Sequence, residues 1–452
     1  MFILLILINS IFSTKNCNCS KNKELIHRRY KRAFGCTCFG GGGSKSEENS
    51  ENPSFSRRKG KEIVYETNAG YEDDEIDEED EEEFYHVKDI AGISSKGKHH
   101  ARPNVLYICD NFYYSRAQFH IMLANILSEN YNVDMLVYTE NRGVPIKSSV
   151  FNIITVPVNE GQIDRKNHSV TDRYRFVGIY EEIIKNIEVE VPNTGYYYNI
   201  LDYLRYQNYI FGIAEFEIMA GSFAVFNELG IEKQFNAAAS VFLPKYLQFL
   251  RIDVTKRFVP EYNSAEPGDW NKKTDDFKAF DQVYFELYHN YHHYYELKQP
   301  LKLKQLFKNI DHHFVNQNNF AIFESFPKLE NKIMYIGGIA VEEKRILMGK
   351  VAIDNPTCVV FMSFGSGNLA RMTAEFGPRR IEQMINLFGE YKNCVFKARL
   401  DLNFLPNNIP PNVIFTDKIV KQQNILAKSN TKLFISHCGL NSLNEALNFY
   451  FK

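Results

Sequence analysis

The chain has 452 residues, 44% hydrophobic and 14% aromatic, with 53 Lys and Arg against 55 Asp and Glu for a net charge of -2. That is ample for two domains with packed cores and a tail, and the balanced charge excludes a global pull toward nucleic acid or an anionic membrane. Beyond the first residues, no stretch reaches the ~20 apolar residues of a membrane-spanning helix.

The opening MFILLILINSIFS is a short apolar core followed by small and polar residues. It is too short to span a bilayer, and no Lys or Arg precedes it. Residues 1–14 are expected to act as a signal peptide for secretory entry. Residues 15–102 are poor in aliphatics and include FGGGGSKS and the acidic run EDDEIDEEDEEE at 72–83. Such a run repels itself and buries no apolar surface, so this segment is expected to be disordered. Four of the eight cysteines lie here: Cys17, Cys19, Cys36 and Cys38. CxC pairs separated by a basic stretch match no zinc spacing, and disulfides within the tail are the stronger expectation. Cys109, Cys358, Cys394 and Cys438 read as buried thiols. Sequons at Asn18 and Asn167 matter only in a secreted chain.

Order is expected from Pro103. NVLYICD (104–110) reads as a buried strand and RAQFHIMLANILSEN (116–130) as a helix capped by Ser115, with Phe119, Met122, Leu123 and Ile126 on its apolar face. NVDMLVYT (132–139) is the next strand. Strand, helix, strand within so few residues is a βαβ unit, hence a parallel sheet. YIFGIAEF (209–216) reads as a strand and SFAVFNELG (222–230) as a helix. Residues 240–310 form an aromatic helical excursion in which His292 and His293 read as a polar rim rather than a metal site. HHFVNQ (312–317) and KIMYIGGIAV (332–341) are further strands, followed by a polar linker ending at Pro356.

A second series then begins. CVVFMSFGS (358–366) is a strand with a glycine loop, and PRRIEQMINLFGEY (378–391) an amphipathic helix. CVFKARL (394–400), VIFTDKI (413–419) and KLFISHC (432–438) are strands, and GLNSLNEALNF (439–449) opens a helix. The fold class is α/β: two Rossmann-like doubly wound halves, 103–341 and 342–452. In such sheets ligands sit beyond the carboxyl ends of the strands. The turn HCGLNS lies there, before a helix N-terminus whose free N–H groups favour a diphosphate.

HCGLNSLNEA resembles the donor-site signature of the animal UDP-glycosyltransferases, the UDP-glucuronosyl and UDP-glucosyl transferases of GT-B fold. VVFMSFGS, IMYIGGI and FVNQNNFAIFESFPKL agree with other family segments in order and spacing. The resemblance implies an inverting transfer of a hexosyl or glucuronosyl group from a UDP-sugar to a small lipophilic acceptor, with no other cofactor. It implies that Ser363, Gly365 and Ser366 line the diphosphate, that His437 contacts a phosphate, and that Gly439, Asn441 and Ser442 offer donors to it. Glu445 would hold the ribose, and Gly337 and Gly338 would shape the link between domains. Ile419 and Gln422 stand where the family has its uracil-stacking Trp and a glutamine.

The catalytic base is the main departure. The family's histidine follows a serine at the start of the first helix, and the matching stretch YYSRAQFHIMLANIL puts Arg116 there. Arginine stays protonated and takes no proton. The acidic partner matches Glu215, which is expected to pair with Arg116 as a salt bridge; His120, four residues on, replaces the base only if the acceptor sits deeper. After Leu447 the sequence reads NFYFK, without the family's Asp-Gln pair or membrane anchor, so the second domain is expected to be incomplete. The alternative reading is a non-catalytic chain that binds nucleotide or an apolar ligand, or pairs with intact family members. By family the chain is expected in the endoplasmic reticulum, or secreted if its anchor is missing.

Overall fold

The structure is a computed structural model that describes residues 4–7 and 102–450, except 167–168, 192–194, 254–276, 323–325, 344–355 and 366–368. The acidic run, the tail cysteines, both sequon asparagines and Ser366 lie outside the described residues, as does most of the expected signal peptide. The described residues belong to one compact unit, which does not include residues 39–100.

Strand β1 (Leu4–Leu7) falls inside the expected signal segment. Strands β2 (Asn104–Asp110), β3 (Asn132–Thr139) and β4 (Asn152–Pro157) come next. Two antiparallel hairpins follow, β5 (Ile163–Asp164) with β6 (Ser169–Val170) and β7 (Glu188–Val191) with β8 (Tyr196–Asn199). Strands β9 (Gly212–Ala214), β10 (Gln234–Ala238), β11 (His312–Val315) and β12 (Ile333–Tyr335) complete the first series. Side by side the order is β12-β11-β10-β9-β2-β3-β4, every neighbouring pair parallel. Alternation along β2 sets the faces. Leu106 and Ile108 join Leu136, Tyr138, Ile154 and Val156 in one core, while the Tyr107 hydroxyl meets His120 on the helix Tyr114–Ser128.

That helix starts earlier than predicted. Ser115 lies within its first turn rather than capping it, because the amides of Arg116 and Ala117 both bond the Tyr113 carbonyl. The run 209–216 also shortens: the strand ends at Ala214, and Glu215 turns the chain into the short helix Phe216–Met219, a turn held by the Phe216 amide on Asn236 Oδ1 at 2.8 Å. The run 332–341 stops at Tyr335, and Gly338, at φ +99°, leads into the helix Ile339–Glu343. The helical excursion holds the turn Pro244–Leu250 and the helices Lys278–Tyr295 and Leu303–Lys308, with the Tyr246 and Phe307 rings stacked at 4.9 Å.

The second sheet holds β13 (Val359–Ser363), β14 (Val395–Arg399), β15 (Val413–Thr416) and β16 (Thr431–Ser436) in the order β1-β16-β13-β14-β15. These four run parallel to one another, and β1 is antiparallel to β16. Val360 and Met362 of β13 pack with Ile381, Ile385 and Phe388 of the helix Pro378–Glu390. Phe361 faces the other way, into Leu426, Phe434, Ala446 and Phe449, covered by the helices Gln422–Ala427 and Leu440–Tyr450. Helices on both faces of a parallel sheet are the doubly wound arrangement expected from the sequence. Cys358 and Cys394 are a disulfide, not the buried thiols expected: they immediately precede the paired residues Val359 and Val395, so strand register brings them together.

Each sheet reverses its direction of growth once. From β2 the chain adds β3 and β4 on one side, then β9 on the other. From β13 it adds β14 and β15 on one side, then β16 on the other. The loops leaving β2 and β9 diverge, as do those leaving β13 and β16, and such switch points open crevices for ligands.

Candidate functional site

At the second switch point, β13 ends in Ser363, beside Ser436 of β16. The imidazole of His437 lies against Gly365 and Gly439. A Cβ on Gly365, already at φ +80°, would stand 2.6 Å from Cε1 of His437, and one on Gly439 would collide with its Nε2. Both glycines are thus required by the approach of one ring. Between them and the helix, Cys438 holds φ +63°, a strained value for a residue with a side chain. Burial pushes the His437 pKa down, so the ring is neutral at pH 7, and its Nδ1 is buried without a hydrogen-bond partner among the described residues. A neutral ring in this turn can donate one N–H to an oxygen.

Beside this turn, Gln422 donates from Nε2 to Ser442 Oγ at 3.0 Å and to Glu445 Oε2 at 2.6 Å, and Gln423 donates to Glu445 Oε1 at 3.0 Å. The structure therefore gathers Gln422, Ser442 and Glu445 into one cluster. Ile419 is 54% exposed, open to a planar group. Arg399, at the end of β14, was not singled out from the sequence. It donates from Nη1 to the Gly365 carbonyl at 2.6 Å and from Nε to the Lys418 carbonyl at 2.9 Å, tying the glycine turn to the segment carrying Ile419. The signal was legible in part: a charge at the carboxyl end of a buried parallel strand lies where loops need holding.

At the first switch point, Arg116 and Glu215 form an ion pair, as expected. Behind it, His120 is buried, with Nε2 3.3 Å from Glu215 Oε2 and Nδ1 2.9 Å from the Tyr107 hydroxyl. The sequence placed His120 on the same helical face as Arg116; the structure adds that it lies under that pair, shielded from the crevice. Burial pushes the Glu215 pKa up, but the Arg116 charge and the His120 hydrogen bond outweigh it and hold the carboxyl below its ordinary range. Asp110, at the end of β2, is buried too; there burial wins over Arg116 and His120, and its pKa is raised.

The two crevices meet across a seam of asparagines. Asn441, Asn444 and Asn448 form one stripe of the last helix. Asn441 Oδ1 accepts from Asn316 Nδ2 at 2.8 Å, and its amide donates to the Ser115 carbonyl at 3.5 Å. Asn444 donates to the Asn316 carbonyl at 2.9 Å and accepts the Asn318 amide at 3.1 Å. Asn441, expected near the diphosphate, is thus engaged between the two sheets. Gly337 sits against the Gln317 backbone, and Gly338 against Asn448, so a side chain at Gly338 would push into the seam. Among the described residues, no cluster of His, Cys, Asp or Glu is built to hold a metal, and no helix is long and apolar enough to cross a membrane.

No family model matches the chain. A Caenorhabditis elegans protein named as a UDP-glucuronosyltransferase is 31% identical over 119 residues, 25% of this chain and 22% of that protein. The ecdysteroid UDP-glucosyltransferase of Mamestra brassicae nuclear polyhedrosis virus is 26% identical over 151 residues, 32% of this chain and 27% of that protein. The chain resembles the UDP-glycosyltransferases in sequence. Its match spans about a quarter of the length of these curated relatives. Among solved structures, a Phytolacca americana protein bound to UDP-2-fluoro-glucose and pterostilbene is 17% identical, covering 76% of this chain and 78% of that one, with a TM-score of 0.43. A Medicago truncatula protein bound to UDP-glucose is 15% identical, covering 77% and 78%, with a TM-score of 0.39.

Proposed function

We propose that the protein binds a UDP-sugar at the second switch point and transfers its sugar to a small lipophilic acceptor held by the first domain. The observation that carries this reading is the convergence of the Gly365 turn, the His437–Gly439 turn and the Gln422–Ser442–Glu445 cluster at the carboxyl ends of β13 and β16. In this reading the diphosphate lies against His437 and the Gly365 backbone, where one side chain and free helix amides meet negative charge. Gly439 allows the close approach. Glu445 accepts from the ribose hydroxyls, with Gln422 and Gln423 holding its carboxylate, and Ile419 covers the uracil.

Transfer requires the acceptor hydroxyl to lose its proton as its oxygen attacks the anomeric carbon and UDP leaves. Arg116 occupies the base position and accepts no proton, and its pairing with Glu215 commits that carboxylate. The reading therefore expects intact donor binding and slow transfer. The test incubates purified protein with radiolabelled UDP-glucose and UDP-glucuronate and a panel of phenols. Labelled conjugate, however slow, supports the reading; absence of both donor binding and conjugate rejects it. The Cys358–Cys394 disulfide supports a place in the oxidising lumen of the secretory pathway.

A further inference from the structure

Arg399 ends β14, the strand beside β13 and its Gly365 turn, and is only 9% exposed. A charge taken that far out of water is costly unless an opposite charge meets it. Among the described residues Arg399 has no ion pair. Its guanidinium is held instead by two neutral carbonyls, that of Gly365 through Nη1 at 2.6 Å and that of Lys418 through Nε at 2.9 Å. Asp417 acts on it without forming an ion pair and is itself exposed. Burial pushes the Arg399 pKa down, against the pull of Asp417, which registers the same cost; an arginine nevertheless stays charged.

The two carbonyls orient the guanidinium without neutralising it, and a guanidinium has more N–H donors than these two bonds use. The turn it holds is the one against which the diphosphate is placed in the donor-site reading, on which this inference rests. His437, across that turn, is neutral and brings no charge to the ligand. Lys418 and Lys421, on the segment that carries Ile419, are exposed, where water and salt screen their charge. The charge of Arg399 lies behind the protein surface and is screened far less.

We propose that Arg399 is the specificity-determining cation of the donor site: the negative charge that its guanidinium lacks is supplied by the ligand's diphosphate, and this side chain makes the site prefer UDP to uridine. The test is calorimetric titration of the full chain with UDP and with uridine, at low and at high salt, for the parent, Arg399→Gln and Arg399→Lys. The parent binds UDP more tightly than uridine. Arg399→Gln weakens UDP by about tenfold or more and leaves uridine unchanged. Arg399→Lys, which keeps the charge, recovers most of that loss, and salt weakens UDP binding more steeply in the parent than in Arg399→Gln. Melting curves check that both variants fold. Should Arg399→Gln not fold, Arg399→Lys decides, since a lysine variant that binds UDP no better than uridine denies the charge its role. Equal UDP affinity in Arg399→Gln and the parent, or UDP and uridine weakened alike, overturns the proposal while leaving UDP at the site. A parent that binds no UDP rejects the donor-site reading, and the proposal with it.

Discussion

Arg116 and Glu215 face each other as an ion pair at the point where the first sheet reverses its growth, with His120 and Tyr107 bonded in line behind them. The pair fills the place where proton removal from an acceptor is expected, and it does so with a group that stays charged. Glu215 is buried, so its charge depends on Arg116 for compensation.

Replacing that cation separates catalysis from stability. Arg116→His puts a titratable ring beside Glu215, and general-base assistance of about 10²-fold is expected in the rate of conjugate formation. Arg116→Ala leaves the buried carboxylate without its cation, held by the His120 hydrogen bond, and should cost on the order of 2–4 kcal/mol, read as a lower urea midpoint. Equal rates for Arg116→His and the parent would show that proton removal does not pass through this position.

Acid stability is governed in part by His313, on β11 opposite Asn236 of β10. Burial pushes its pKa down to about 3, and its Nδ1 is 3.0 Å from Asn236 Nδ2. A histidine depressed in the folded state takes its proton only on unfolding. Stability from this group is full above the ordinary value of about 6.5 and falls as pH drops below it, by about 1.4 kcal/mol per unit, until about pH 3. Melting between pH 7 and 5 should therefore fall more steeply for the parent than for His313→Asn. Parallel curves contradict the assignment.

The disulfide closes a separation of 36 residues. The chain-entropy account assigns about 4 kcal/mol to a loop of this length. Dithiothreitol, or Cys358→Ser with Cys394→Ser, should lower the melting temperature of the second domain without altering its secondary structure by circular dichroism. An unchanged melting temperature would deny the bond a stabilising role.

The asparagine seam makes its own prediction. Asn444 is 2% exposed and bonded to Asn316 and Asn318. Asn444→Leu leaves the Asn318 amide unsatisfied, at a cost of about 1–3 kcal/mol, and loosens the sheets from one another. Limited proteolysis should then cut between them faster than in the parent. Identical digestion would place the coupling elsewhere.

The alternation of apolar runs and helical periodicity made the order of β2, β3, β13, β14 and β16 legible, because parallel strands are buried on both faces. β10 was missed because its sequence, QFNAA, carries Gln234 and Asn236, both buried; the Asn236 side chain is bonded by Phe216 and His313, partners distant in sequence. The Arg116–Glu215 pair followed from the motif around each residue. The Cys358–Cys394 bond did not, since it depends on the register of β13 and β14. Arg399 and the role of Asn441 at the seam depend on which loops meet, which spacing along the chain does not encode.

One structure determination tests the placement of the donor most directly: crystals of the protein grown with UDP, compared with those of Gly365→Ala, whose Cβ would displace the His437 ring. The account predicts pyrophosphate density between Gly365 and His437 in the parent, and none in the variant despite an intact fold. UDP bound away from this turn, or bound equally well by both proteins, contradicts it.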